Sequence, residues 1–215
     1  MSITQELSHL LEQEGCTLYG FADITPLPEA ARKKLPVGII LGCALTHEGV
    51  CENEKGIPCL INPHGGNTFE PLDRFTNVVV NFLKERNFKA NTDAYTKGTV
   101  TDKTVGTLGG LGWIGKCALL TTPKTGPALR LGVILTNAPL ETNEAITQSQ
   151  CPPNCHACRD SCPANAISDK LWERGTHRDE FFDVNACKKF RSKQEHGLCW
   201  RCIAACPLAV EGLGK

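Results

Sequence analysis

The sequence predicts an α+β chain in two parts, residues 1–145 and 146–215. Three observations predict it. Helical and strand-like apolar patterns mix in the first part without a regular βαβ cadence, which favours α+β over a doubly wound sheet. Eight of the thirteen cysteines crowd between Cys151 and Cys206. Between the two regions runs a polar stretch, Glu141 to Gln150, that reads as a connector.

In chain order, Ile3, Leu7, Leu10 and Leu11 recur at helical spacing, and Gly15 is a natural stop. Val37 to Leu45 is a continuous apolar run, the pattern of a buried strand. Pro71 to Asn87 opens with proline at the start of a helix and places Leu72, Phe75, Val78, Val79, Phe82 and Leu83 on one face. Val100 to Leu108 reads as a short helix. Ala118–Leu120 and Leu131–Leu135 are short apolar runs, and Pro123 to Pro127 between them suits a hairpin-type turn.

Composition narrows the function. Lys plus Arg and Asp plus Glu each number 23, so the formal charge is zero. A protein that coats nucleic acid or an anionic membrane needs a basic excess, so neither partner is expected. Hydrophobic residues at 41% with 21% charged exclude intrinsic disorder. The first residues lack the basic and apolar regions of a secretory signal, and no run of about 18 apolar residues spans a bilayer. The expectation is a cytoplasmic protein. There disulfides are rare, and an odd cysteine count cannot pair completely. Clustered cysteine then points to metal or catalysis.

The cluster reads as two related halves. One is Cys151, Cys155, Cys158 and Cys162 followed by Pro163; the other is Cys199, Cys202 and Cys206 followed by Pro207, with Cys187 upstream. Both end in C-x2-C-x3-C-P, the tail of the bacterial ferredoxin run, in which the cysteine before proline ligates the other cluster. One [4Fe-4S] cluster then takes Cys151, Cys155, Cys158 and Cys206, and a second takes Cys187, Cys199, Cys202 and Cys162. Eight ligands serve two clusters with none left over. Three residues rather than two separate Cys151 from Cys155, and a long arm joins Cys187 to Cys199. A structural zinc site built from C-x2-C knuckles is the alternative, though the doubled C-x3-C-P tail fits it poorly.

Gly109 to Lys116 contains both G-x-G-x-x-G and G-x4-G-K. Either nucleotide motif needs a strand before it and a helix after it. Here a short helix is expected upstream, Pro123 stops any helix downstream, and Cys117 stands where a P-loop needs a hydroxyl. Both motifs are rejected.

The segments GLGWIGK (Gly110–Lys116), LLTTPKTG (Leu119–Gly126) and LRLGVILTNAPL (Leu129–Leu140), with the double cluster motif, resemble the epoxyqueuosine reductases, strongly from about Asp102 to Pro207. That family's kin are the reductive dehalogenases and corrinoid-processing proteins, which share a nitroreductase-like fold and carry cobalamin beside two [4Fe-4S] clusters. The resemblance implies that electrons pass through the clusters to a corrinoid, flavin or substrate in the first domain. It places Gly112, Trp113, Gly115, Lys116, Cys117, Leu120, Thr121, Thr122 and Pro123 around that cofactor. The chain also departs from the family. Thr96 stands at the position of the catalytic acid, and a hydroxyl of high pKa is a poor proton donor. The family's Arg-Tyr-Ala and Asp-Tyr-His region, helical-repeat tail and usual Asn after Gly-Lys (here Cys117) are not found, nor is a respiratory dehalogenase's twin-arginine leader. Epoxyqueuosine is therefore not the expected substrate.

The catalytic candidates are Cys117, Lys116 and Thr96. Cys117 is a ligand, redox thiol or substrate contact, or else a small buried apolar side chain. Cys51 and Cys59 form a redox pair or extra metal site, or are incidental; Cys16 and Cys43 match no motif. His64 is an axial ligand or proton donor, or a solvated turn residue. Lys188, Lys189, Arg191 and Lys193 dock an acidic electron donor or offset cluster charge. The expected function is an iron–sulfur oxidoreductase, served by a ferredoxin- or flavodoxin-type donor and acting on a small molecule. The alternatives are a ferredoxin-like carrier and an activator of another corrinoid protein.

Overall fold

The computed structural model describes residues 1–45, 70–93, 100–194 and 199–209, together with the backbone of two short strands at 51–52 and 58–59. The chain forms two compact units that alternate along the sequence. The first takes Met1–Ala44, Thr68–Leu111 and Arg130–Ile146; the second takes Leu45–Asn67, Gly112–Leu129 and Thr147–Lys215. One of the crossings, at Ile146, falls at the polar connector. The others come earlier, so the second unit includes the glycine-rich segment as well as the cysteines.

A four-stranded sheet organises the first unit, in the order β1 (Leu18–Asp23), β2 (Val37–Ala44), β8 (Leu129–Thr136), β5 (Ala90–Asn91). β1 and β2 are antiparallel, with Leu18 opposite Gly42 and Asp23 opposite Val37. β2 reads as unbroken apolar sequence because both faces are covered. Phe21, Ile39, Leu41 and Ile134 point to one side, where α1 (Ile3–Gln13) and α2 (Glu70–Glu85) bring Leu7, Leu11, Phe75 and Val79. Ala22, Ile40, Val133 and Leu135 point to the other, against Val105 and Leu108 of α3 (Asp102–Leu108). The period-2 alternation of a strand thus feeds two cores.

The helix ends follow local chemistry. The Ser2 hydroxyl accepts from the Gln5 amide and the Gln5 side chain accepts from the Ser2 amide, a capping box. Gly15, at φ +81, takes the left-handed conformation that ends the helix. Ser2→Ala should cost about 1 kcal/mol, read as a lower urea midpoint with unchanged slope; an unchanged midpoint would show that the cap contributes nothing. Thr101 caps α3 by accepting from Thr104. Cys16 is fully buried and its thiol is pushed up to about 11 by that burial, while burial also raises half-buried Cys43. Both behave as small core side chains.

In the second unit the strands are short: β3 (Cys51–Glu52) pairs with β4 (Pro58–Cys59), and β6 (Trp113–Ile114) with β7 (Leu120–Thr121). The hairpin-type turn expected at Pro123–Pro127 is present, closed by reciprocal 3.0 Å amide bonds between Thr122 and Gly126. The strands flanking it do not pair with each other. β7 turns back on β6, and β8 joins the other sheet. Beyond them lie α4 (Ala157–Asp160), a 3-10 turn (Arg178–Glu180), α5 (Val184–Arg191) and α6 (Arg201–Ala204). A small core of Leu45, Ala128, Ile203 and Ala209, flanked by Trp200, Cys202 and Cys206, underlies α6.

Candidate metal centre

The two halves of the cysteine motif fold alike. Cys158 lies in α4 and Cys202 in α6. His156 before α4 has φ −115 and ψ 3, and Trp200 before α6 has φ −119 and ψ 9. Past the helices, Ser161 and Ala205 agree to within a degree, at φ −80 with ψ −10 and −11. The next cysteine then bonds back identically: Cys162 N to Arg159 O and Cys206 N to Ile203 O, both at 3.0 Å. Proline after each last cysteine has no amide to extend the turn, so each helix stays one turn long. The helices pack on each other, and the Ser161 hydroxyl reaches the Cys158 carbonyl at 3.1 Å and the Arg201 carbonyl at 3.4 Å.

Cys151, Cys155, Cys158 and Cys206 line one cavity of about 230 Å³. Burial pushes the Cys158 thiol up to about 11, and Cys151, Cys206 and Cys155 raise it further. Burial likewise raises Cys206, with Cys151 and Cys155 adding to it. Among the other four, neighbouring thiols add to the effect of burial. Cys202 is pushed up to about 12, first by burial, then by Cys199, Cys158, Cys162 and Cys187. Cys187, on α5, is raised by burial, with Cys162 and Cys199 adding and Arg191 opposing. The cavity therefore puts Cys206 with the first loop.

The thiols stand on the wall of a cavity, and among the described residues no three or more His, Cys, Asp or Glu side chains are grouped to hold a single metal ion. Four zinc ligands converge on a single ion at about 2.3 Å. A cubane cluster instead takes its thiolates on four separate irons. The donor set around the cavity suits the cluster. Two N–H groups also aim at cysteine sulfurs of the motif: Trp113 Nε1 donates to Cys151 Sγ at 3.4 Å, and the Ala166 amide to Cys162 Sγ at 3.4 Å. Hydrogen bonds of this kind tune cluster potential.

The glycine-rich segment packs against that cavity. Helix α3 precedes it and strand β7 follows it, so neither nucleotide motif has its required context. The glycines serve the β6–β7 hairpin. A Cβ on Gly112 would sit 2.2 Å from the Thr121 carbonyl oxygen, and one on Gly115 would sit 2.5 Å from Thr121 Oγ1. Of the nine residues expected around an organic cofactor, Gly115, Lys116, Cys117 and Thr121 face the thiol cavity. Trp113, Leu120 and Thr122 are buried, and Pro123 is exposed on the turn. Lined by five cysteines and below the ~300–1,000 Å³ of most organic-ligand pockets, this cavity does not fit a corrinoid or flavin. Cys117 is buried beside Cys202, Cys158 and Cys206, and burial holds its thiol far above the ordinary range.

Lys116 is buried at 2% exposure, and its Nζ donates to the Pro153 and Cys155 carbonyls, both at 2.9 Å. Asp169 Oδ1 lies 3.9 Å from the same nitrogen. Asp169 also bonds His156 at 2.8 Å and Arg159; these contacts, led by His156, lower its carboxyl below the ordinary range. No spacing in the sequence pointed to Asp169, because its partners lie ten or more residues away, at the start of α4 and in the β6–β7 hairpin. Thr96 and His64 lie outside the described residues, as do the side chains of Cys51 and Cys59, whose backbones are partners across β3 and β4.

No family model matches the chain. Curated relatives do. The chain is 28% identical over 160 residues to the epoxyqueuosine reductase of Bacillus subtilis, covering 72% of this chain and 41% of that protein. It is 36% identical over 70 residues to that of Bacillus anthracis, covering 33% and 18%. The matched stretches thus span less than half of these relatives' length. Among solved structures, an epoxyqueuosine reductase bound to a tRNA stem loop matches 97% of this chain and 66% of its own at 18% identity, TM-score 0.65. A catabolic reductive dehalogenase complexed with 3-bromo-4-hydroxybenzoic acid matches 97% and 32% at 18% identity, TM-score 0.72. The chain therefore has the fold shared by these two groups of reductases. Its relationship to the epoxyqueuosine reductases, read first from the glycine and cysteine segments, is matched in both comparisons.

Proposed function

We propose that the protein is an iron–sulfur oxidoreductase that passes single electrons through two [4Fe-4S] clusters. Cys151, Cys155, Cys158 and Cys206 hold one, and Cys187, Cys199, Cys202 and Cys162 hold the other, in a ferredoxin-like module. The observation that carries this reading is the cavity where Cys206, from the second half of the motif, joins three cysteines of the first. The clusters supply one-electron chemistry; the protein holds them in place and donates hydrogen bonds to their sulfurs. Anaerobic reconstitution should give about eight irons per chain. A plateau at about four or fewer, or stoichiometric zinc that iron cannot displace, would overturn the assignment.

Electrons enter from a ferredoxin- or flavodoxin-type donor. Lys188, Lys189, Arg191 and Lys193 are exposed on and just after α5, which carries Cys187. Charge-assisted docking there slows with added salt. The acceptor is a small molecule other than epoxyqueuosine, since Thr96 replaces the family's acid.

A second reading, an electron carrier or an activator of another corrinoid protein, draws support from the glycine segment, which faces the thiol cavity. Anaerobic titration with hydroxocobalamin and with FMN separates the readings: binding of either favours an enzyme with its own cofactor, and binding of neither favours the carrier. The balanced charge argues against a nucleic-acid partner, whereas one relative was solved with a tRNA stem loop. Filter binding to such a stem loop decides between them.

A further inference from the structure

We propose that Lys116 is a positioning residue for the first cluster site and the fixed positive charge that sets its reduction potential. The inference rests on the assignment of Cys151, Cys155, Cys158 and Cys206 to one cluster. A lysine with 2% exposure is rare, and it persists only where its ammonium has partners. Here two partners are carbonyls inside the ligand loop: Pro153, between Cys151 and Cys155, and Cys155 itself. Lys116 also lines the cavity. Its stem comes from the β6–β7 hairpin, so one side chain ties that hairpin to the loop and fixes the spacing of two ligands.

The same placement has an electrostatic result. A cluster gains one negative charge on reduction, and a nearby cation shielded from water stabilises that charge more than water would. Lys116 therefore favours the reduced state. Its counter-ion Asp169, at 3.9 Å and partly exposed, opposes it, with His156 and Arg159 sharing that carboxylate.

The test is potentiometry followed by spectroscopy on reconstituted wild type, Lys116→Met, Lys116→Arg and Asp169→Asn, with iron counted in each. Lys116→Met should move the first cluster's midpoint to more negative potential, or lose that cluster while the second remains. Lys116→Arg, which keeps the charge, should restore iron content and return the midpoint toward wild type. Asp169→Asn should move the midpoint the opposite way from Lys116→Met. Because Asp169 is 39% exposed, its variant tests the charge argument even if Lys116→Met does not fold. Full iron content with an unmoved midpoint in Lys116→Met would overturn the proposal, as would shifts of the same sign in Lys116→Met and Asp169→Asn. Failure of wild type to bind iron would instead sink the cluster assignment beneath it.

Discussion

Cys206→Ala is expected to empty the site built on Cys151, Cys155 and Cys158, and to spare the site that holds Cys199 and Cys202, its own sequence neighbours. Cys162→Ala should do the reverse. The expectation follows from the cavity, where Cys206 stands with the first three thiols, and from the exchange of Cys162 into the second site proposed above. Pairing the variants sharpens it. Cys151→Ala with Cys206→Ala removes two ligands of one site and should lose about four irons, no more than one cluster's complement. Cys199→Ala with Cys206→Ala strikes both sites and should lose both. The changes are non-additive in the first pair and additive in the second, as expected for groups that act as a unit and groups that do not. Iron and sulfide analysis after anaerobic reconstitution reads the result. If the Cys199/Cys206 double variant kept a full cluster, the exchanged assignment would be wrong. Stability should fall in step, since cluster binding and folding are coupled in such modules.

Gly112→Ala should be the most damaging single change outside the ligands. Its new methyl would meet the Thr121 carbonyl oxygen at 2.2 Å, with the Thr121 carbonyl carbon 3.0 Å away. Both are backbone atoms paired across β6 and β7, where Trp113 stands opposite Thr121. Relief requires the hairpin to open, which displaces Lys116 from the loop and Trp113 from Cys151. A cost of about 3 kcal/mol or more is expected, the upper end of overpacking penalties. Differential scanning calorimetry and iron retention under chelator challenge check it together. A variant that melts like wild type and holds its iron equally well would show that the hairpin is not what secures the centre.

The sequence revealed most where one physical demand dominates. The unbroken apolar run at Val37 is legible because a strand covered on both faces has no polar side. The cysteine spacing is legible because the two halves repeat the same turn, down to matched dihedrals at Ser161 and Ala205. The resemblance pointed to the glycine segment as the lining of a cofactor site, and the structure sets four of its residues on the thiol cavity; the residues alone do not show which neighbour the segment faces. Gly112 and Gly115 are needed for close approach within a hairpin, and a sequence window cannot distinguish that from approach to a ligand. The pairing of β7 with β6 instead of β8 was hidden because strands of two residues carry no usable periodicity. Asp169 was hidden for another reason: its three partners, Lys116, His156 and Arg159, come from distant stretches of sequence.

The alternation of the two units along the chain has a consequence for synthesis. The ribosome releases Lys116 and Trp113 well before the loop of Cys151–Cys158 that they will grip, and Cys206 comes later still. Until then the nascent hairpin holds an ammonium with no acceptors, and the first centre lacks its final thiolate. On the cluster assignment proposed above, assembly of the first centre waits for Cys206. A fragment starting at Thr147 would carry all eight proposed ligands and lack the hairpin from which Lys116 bonds the Pro153 and Cys155 carbonyls.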